Sequence, residues 1–182
     1  MTAPTDRHVL VCGPGSDDST LIEALGALGW TPADPHATTP LSLLVITPTP
    51  QDRGDGTWSA AAAMDATGEV IRGITERRER LRSGRGLVVV AVATPPGRAA
   101  VRSAGDGVVA AALAMSVQLF AVDWAPDGIR CLLVVTGGDG GDGGEPLARL
   151  AHWLAAPDAP ALSGQIIDMA AVDHATLRAP GA

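Results

Sequence analysis

The chain alternates short, continuously apolar runs with longer stretches of mixed polarity. Runs of this length without polar alternation are typical of strands that are buried on both faces of a sheet. The longer stretches include apolar residues at helical spacing, as Leu21, Leu25 and Leu28 show before Gly29. Strands that alternate with helices predict an α/β fold, here a doubly wound parallel sheet of about five or six strands with helices on both faces. The predicted strands are His8 to Cys12, Leu41 to Thr47, Gly86 to Ala93, Ile129 to Thr136 and Ser163 to Met169.

Two long helices are predicted in the middle of the chain. The first runs from Trp58 to Arg82, and its charged end, ERRERLR, is expected to be solvated. The second, Val108 to Val122, carries no charged residue, so we expect it to be buried on more than one side. The sequence APDG after Trp124 predicts a turn, because proline stops a helix and glycine permits positive φ. The segment Thr31 to Pro40, rich in proline and without periodicity, is expected to be a loop.

Composition narrows the classes of function. A length of 182 residues predicts one domain, 1–182, with a frayed tail over 171–182. The 20 acidic and 13 basic residues give a net charge of -7, which disfavours nucleic acid or an anionic membrane surface as a partner. Every basic residue is arginine, so the chain contains no Lys, and it contains no Tyr. No apolar run is long enough to span a membrane, and we expect a cytoplasmic protein.

The residue types that most often bind metals show no ligand spacing. Cys12 and Cys131 lie within apolar strands and are expected to be buried as small hydrophobic side chains. The histidines are scattered along the chain, and neither His36 nor His152 has a recognisable partner in the sequence. We therefore expect no metal site.

Segments in the C-terminal half resemble a known family in sequence and order. Residues 121–135, AVDWAPDGIRCLLVV, are similar to the end of the buried helix, the turn and the strand of the short-chain dehydrogenases/reductases, particularly the ketoacyl-carrier-protein-reductase-like members. Residues 147–169 resemble that family's closing helix and last strand, and Gly86 to Thr94 resembles the strand that ends in its catalytic Ser. The resemblance implies a trimmed Rossmann-like sheet with any ligand at the carboxyl ends of the strands.

The residues that this family uses to bind a nucleotide are mostly absent. Gly13 and Gly15 are the remnant of its glycine loop, while Asp17 and Ser19 occupy the later glycine positions. A carboxylate there repels a diphosphate. Only Thr31 to Pro40 stands where the family has its second strand, second helix and third strand, so we expect no room for these elements. The resemblance therefore implies that no nucleotide cofactor is bound.

The family's catalytic residues are missing too. Its Tyr and Lys together exchange a proton with the substrate oxygen. Counting back from Gly128 puts Asp106 at the position of the Tyr and Ala110 at that of the Lys, and Ala93 or Thr94 replaces the Ser. We therefore expect no competent NAD(P)-dependent reductase, unless the chain uses a nucleotide site in a new way.

The first functional hypothesis is a non-reducing pseudoenzyme whose retained role is dimerisation. In the family, the buried helix and the helix before it form a four-helix interface with a second subunit. The apolar second helix and the alanines of Ala60 to Ala63 would serve this purpose here. The partner would be a second copy or a related reductase subunit, in bacterial polyketide or fatty-acid-like metabolism. The expected interface residues are Val108, Val109, Ala112, Met115, Leu119, Phe120 and Trp124.

The second hypothesis is an enzyme that needs no nucleotide, such as a cyclase, dehydratase or isomerase. Asp106 would act as acid or base, assisted by Thr94 or His36, on a polyketide-like small molecule in the vacated crevice. Asp106 is also suited to be the cap of the helix that follows it, because aspartate is among the preferred capping residues.

Overall fold

The sheet and its helices follow the expected α/β order. A computed structural model describes residues 7–13, 18–48, 60–94, 104–137, 144–156, 159 and 162–169. The strands within these ranges are β1 (His8–Cys12), β2 (Thr31–Pro32), β3 (Leu43–Ile46), β4 (Leu87–Thr94), β5 (Arg130–Gly137) and β6 (Ile166–Asp168). The helices are α1 (Asp18–Ala27), α2 (Ala60–Glu76), α3 (Arg78–Gly84), α4 (Ala104–Asp123) and α5 (Gly144–Leu154).

All the strand pairs are parallel, and the strand order is β2-β1-β3-β4-β5-β6. This confirms the predicted Rossmann-like sheet. The chain leaves β1 for β2 on one side and then returns to β3 on the other. The two connections therefore diverge beyond the carboxyl ends of β1 and β3, which is where doubly wound sheets form their ligand crevice.

Two hydrophobic layers enclose the sheet. Val88 points to the face covered by α2 and α4, whose buried residues include Ile74 and Leu113. Its neighbour Val89 points to the opposite face, which is covered by α1 and α5 and includes Leu25. Because successive residues of a strand face opposite layers, both must be apolar, and this explains the continuous apolar runs.

The segment expected to be a loop contains a short strand. Thr31 and Pro32 pair in parallel with His8 and Val9, so a short second strand is present at the edge of the sheet. The buried indole of Trp30 holds the chain there. The expectation of no second strand was therefore wrong for these two residues. Residues 33–42, which the structure describes throughout, contain no further helix or strand.

The helix predicted over Trp58 to Arg82 is two helices that meet at Arg77. Residues 58 and 59 lie outside the described residues. The Arg77 backbone has φ -103° and ψ 5°, and its N–H donates to the carbonyl of Ile74, three residues back. Its guanidinium Nη1 donates to the carbonyl O of Gly73 at 2.9 Å. A side chain thus satisfies a carbonyl that a continuous α-helix would pair with the backbone N–H four residues on.

The transition from α4 to β5 agrees with the sequence. α4 ends at Asp123, and a single 3₁₀ turn follows over Ala125–Asp127. Gly128 has φ 73°, the left-handed conformation that glycine adopts without a steric penalty. Ile129 is then buried as the chain enters the sheet.

Candidate functional sites

A pocket of about 300 Å³ lies at the point where the connections of the sheet diverge. Its floor is formed by the carboxyl ends of β1 and β3, and one wall is formed by α2. The strand ends contribute Cys12, Gly13, Ile46, Thr47 and Pro48, and α2 contributes Ala62, Ala66, Glu69, Val70 and Gly73. The lining is largely apolar. Gly13 was expected here from the sequence, whereas the wall on α2 was not, because only the sheet topology brings α2 to this point.

The described lining of this pocket does not suit a dinucleotide. Among these residues Glu69 is the one charged side chain, and none is basic. A diphosphate needs positive charge or backbone N–H donors, and a carboxylate opposes it. Residues 14–17, which include Gly15 and Asp17, lie outside the described residues. The described part of the pocket thus favours an uncharged or cationic ligand.

Two of the three expected acid/base residues belong to the carboxyl end of the sheet. Thr94 is the last residue of β4, and Asp106 lies in the first turn of α4. Their side chains lie outside the described parts of the chain.

His36 lies at the opposite end of the sheet. Its loop is bound by α3, which ends just before β4 begins: Arg80 donates to the carbonyls of Thr39, Pro35 and Asp34. His36 is exposed, and its backbone N–H donates to the Asp34 carboxylate at 2.8 Å. The structure therefore separates His36 from Thr94 and Asp106, because the segment after β2 turns back to the amino end of β3.

Metal ligands do not cluster in the part of the chain that the structure describes. No group of three or more His, Cys, Asp or Glu side chains is positioned there to hold a metal ion. Cys131 is buried, and burial raises the pKa of its thiol to about 12. Cys12 is half-buried and lines the pocket, so the prediction of a fully buried residue was wrong for Cys12. Within the described helices, none is long and apolar enough to cross a bilayer.

The most exposed apolar surface lies on α4. Met115, Leu119 and Val122 are 71%, 59% and 74% exposed, although α4 was expected to be buried on more than one side. Together with Ala112 they lie three, four and three residues apart along one face of the helix, which we call the α4 stripe. Within this chain, α4 buries the opposite side, including Val109, Leu113 and Val117.

A second stripe lies on α2, which packs beside α4. Met64 is 72% exposed, and Ile71 is exposed seven residues further on. Gly68 lies between them on the same face, and Ala61 and Thr75 extend the same spacing at either end. These five residues form the α2 stripe. The repeat of three and four residues was present in the sequence and could have predicted Met64, Gly68, Ile71 and Val122.

The residues expected at a dimer interface divide into three groups. Met115 and Leu119 are exposed on the α4 stripe, and Ala112 is half-buried there. Val109 and Trp124 belong to the core of this chain, and Phe120 packs against the Trp124 ring at 4.7 Å. They lie inward because they are on the face of α4 that packs against the sheet. The side chain of Val108 lies outside the described parts.

Comparison with other proteins shows the fold. Neither the protein-family models nor the curated proteins match this sequence. A short-chain dehydrogenase/reductase family oxidoreductase from Brucella ovis, solved with partially ordered NAD, has a TM-score of 0.62 and 17% identity over 89% of this chain and 99% of its own. YwfH, an NADPH-dependent reductase involved in bacilysin biosynthesis, has a TM-score of 0.66 and 14% identity over 89% of this chain and 96% of its own. An oxidoreductase of the same family from Burkholderia thailandensis has a TM-score of 0.63 and 15% identity over 90% and 91%. The chain therefore has the Rossmann-like fold of short-chain dehydrogenases/reductases.

Proposed function

We propose that this protein is a non-reducing member of the short-chain dehydrogenase/reductase group that functions as a dimer of two identical chains joined through α2 and α4. The observation that carries this proposal is the pair of exposed apolar stripes on two helices that pack side by side. A contiguous apolar surface of this kind is unfavourable on a monomer and is typical of an interface. We propose that it acts in the bacterial cytoplasm as an inactive or stabilising subunit of polyketide or fatty-acid-like metabolism.

The absence of reductase chemistry is supported by the residues themselves. The chain has no Tyr and no Lys, so it lacks the pair of side chains that transfers the proton in the family that it resembles. Asp106 and Ala110 stand at the corresponding positions by the resemblance. Glu69 is the charged group in the described lining of the pocket, where a nucleotide diphosphate would need positive charge.

Each of the two stripes contains a small residue that permits close helix packing. Both α2 and α4 run from the carboxyl end of the parallel sheet to its amino end, so they lie parallel to each other. A two-fold axis perpendicular to both helices lays each helix antiparallel on its own copy in the second chain. Gly68 on α2 and Ala112 on α4 leave space between the large side chains of their stripes, so the facing helices can approach closely.

Gly68→Leu tests this interface without disturbing the fold of one chain. A Cβ at Gly68 meets no heavy atom within 4 Å, and the same is true of Gly26 on α1, so Gly26→Leu is the matched control. We expect sedimentation equilibrium to show dimers for the wild type and Gly26→Leu. Gly68→Leu should weaken dimerisation by at least about tenfold, or about 1.4 kcal/mol. Met115→Glu should give a folded monomer, because it buries an unpaired charge at the interface.

Two results would overturn the homodimer. One is a wild-type protein that stays monomeric up to about 100 μM, because mass action favours association at that concentration. The other is an unchanged dissociation constant for both Gly68→Leu and Met115→Glu. Far-UV circular dichroism of each variant separates a lost interface from a lost fold.

The absence of reductase activity has its own test. We expect calorimetric titration with NADPH and with NADH to show no binding. Binding of either nucleotide tighter than about 100 μM would contradict a nucleotide-free protein. This experiment is independent of the oligomeric state, so the two parts of the proposal can fail separately.

The pocket between β1, β3 and α2 favours a second candidate, a nucleotide-independent enzyme such as a cyclase, dehydratase or isomerase. Its largely apolar lining suits the carbon skeleton of a polyketide-like molecule. Asp106 would be the acid or base. Asp106→Asn should then abolish turnover while the protein stays folded; if the variant unfolds or behaves like the wild type, Asp106 is a helix cap or a bystander.

A further inference from the structure

Trp30 and His152 form a polar contact at the amino end of the sheet, far along the chain from each other. The indole Nε1 of Trp30 lies 3.1 Å from Nδ1 of His152, which is in the last turn of α5. The two rings meet edge to face at 85° with their centroids 6.3 Å apart. Trp30 is buried in the layer formed by α1 and α5. The contact therefore joins the C-terminal turn of α5 to the chain between α1 and β2.

This hydrogen bond can form in only one protonation state of His152. An indole nitrogen is a donor and never an acceptor. Nδ1 of His152 must therefore accept with its lone pair, which means that the imidazole is neutral and carries its proton on Nε2. Once Nδ1 is protonated, two N–H donors face each other and the bond is lost.

No described group near this pair would neutralise a positive charge on His152 in addition to the charge of Arg7. The guanidinium of Arg7, just before β1, lies 5.8 Å from the centre of the Trp30 ring. Burial lowers the pKa of His152, and the charge of Arg7 lowers it further. Of the other charged groups on the helices packed here, Glu23 of α1 is exposed, while Glu145 and Arg149 of α5 pair with each other. No carboxylate of the described residues forms an ion pair with His152.

We infer that Trp30 and His152 form a proton-operated latch, a hydrogen bond that stabilises the end of α5 on the sheet while His152 is neutral and that is lost when His152 is protonated. The latch responds to a proton that binds Nδ1 of His152. Because the folded chain favours the neutral imidazole, the latch contributes its full stability above the ordinary histidine pKa of about 6.5. That contribution is lost as the pH falls through the lowered pKa of the folded state. The inference does not depend on dimerisation, since the latch involves neither α2 nor α4.

The latch can be tested on the intact protein by ¹⁵N-¹H NMR. The chain has four tryptophans, and the Nε1–H signal of Trp30 is assigned by its loss in Trp30→Phe. Between pH 7.5 and pH 5 we expect this signal to shift with the same midpoint as the His152 ring protons. We also expect the protection of the α5 amides against exchange, relative to the intrinsic exchange rate at each pH, to fall at the lower pH. His152→Asn keeps an acceptor near the Nδ1 position but does not titrate, so its Trp30 signal should stay constant. His36→Asn, in the exposed loop, should behave like the wild type.

Three outcomes would overturn the latch. The first is a wild-type Trp30 signal that does not move between pH 7.5 and 5. The second is a midpoint that differs from that of the His152 ring, and the third is an equal shift in His152→Asn. The first two readouts use only the wild type once the signal is assigned. They therefore decide the question even if His152→Asn fails to fold, and an assignment through ring-to-ring NOEs replaces Trp30→Phe if that variant does not fold.

Discussion

Two glycines leave no room for a side chain where α3 passes into β4. A Cβ at Gly86 would be 2.5 Å from the carbonyl O of Leu41 and 2.7 Å from Cδ2 of Leu81. One at Gly84 would overlap the same Leu41 oxygen. Because that oxygen belongs to the backbone leading into β3, it cannot move without disturbing the sheet. Glycine is required at both positions for reasons of space.

Gly86→Ala should therefore destabilise the protein. We expect the free energy of unfolding to fall by about 1–3 kcal/mol, the usual range for a side chain forced into a filled core. Gly26→Ala is the control, because a Cβ there has no neighbour within 4 Å and a helix gains about 0.5–1 kcal/mol when Gly becomes Ala. Urea unfolding measures both. Equal stabilities for the two variants would contradict the clash.

The two thiols should react differently. Burial raises the pKa of Cys131 to about 12, so its reactive thiolate is rare at pH 8 and the sulfur is shielded as well. Cys12 is half-buried and lines the pocket. We expect an aromatic disulfide reagent to modify one thiol in the native protein and two after unfolding. Cys12→Ser should remove the native reaction, and loss of it in Cys131→Ser instead would contradict this assignment.

At the scale of elements, α3 anchors two turns. The Arg80 guanidinium donates to three carbonyls of the loop after β2. Arg78 binds the Asp127 carboxylate at 2.7 Å, and its guanidinium lies over the Trp124 ring. The sequence ERRERLR was expected to be a solvated helix end, and Glu76, Arg78, Glu79 and Arg82 are exposed. Arg80 and Arg78 also hold the loop after β2 and the turn before β5, whereas Arg82 binds Glu79 within the helix.

Arg80→Met should release the loop after β2. The change keeps most of the aliphatic stem and removes three hydrogen bonds from a charged donor, so we expect a loss of about 1–3 kcal/mol in the free energy of unfolding. Arg82→Met is the matched control: its ion pair with Glu79 is exposed and screened by solvent, so its loss should change the free energy of unfolding little. Chemical unfolding of both variants measures the difference. A loss in Arg82→Met as large as that in Arg80→Met would show that charge, and not the carbonyl contacts, is responsible.

At the scale of the whole molecule, the helix layers on the two faces of the sheet differ in how much apolar surface they expose. The layer of α1 and α5 closes over the sheet with Leu25 and Leu154 fully buried. The layer of α2 and α4 buries one side of each helix but exposes Met64, Met115 and Val122 on the other. An apolar surface is favourable only when something covers it. This asymmetry is the physical basis for expecting a second chain on the layer of α2 and α4.

The melting temperature should therefore depend on protein concentration. A dimer that must dissociate on unfolding gains stability by mass action as the concentration rises. We expect the wild type and Gly26→Leu to melt at higher temperature after about a hundredfold increase in concentration. Gly68→Leu should melt at a lower temperature than the wild type at each concentration, and the melting temperature of Met115→Glu should not change. Differential scanning fluorimetry across a concentration series measures this. A wild-type melting temperature that is independent of concentration would contradict an obligate dimer.

Much of this fold was predictable because its signals are local. The apolar runs predicted five of the six strands, and the turn after Trp124 was predicted because proline and glycine restrict or relax φ at their own positions. The break at Arg77 was not predictable in this way. It depends on a guanidinium that folds back onto the Gly73 carbonyl, and the sequence around it remains compatible with one continuous helix.

Some features of the candidate sites were likewise predictable from the sequence, and others were not. The sequence alone predicted the α/β class and the resemblance to the short-chain dehydrogenases/reductases, and it showed the lack of Tyr and Lys. These are properties of composition and local pattern. Only the folded chain brings α2 against the ends of β1 and β3 to form the pocket, and joins Trp30 to His152. It also decides that Val109 faces the core while Met115 faces outward. These relations link residues that are distant in sequence or turn on which side of an apolar helix meets the sheet, and local pattern contains no information about either.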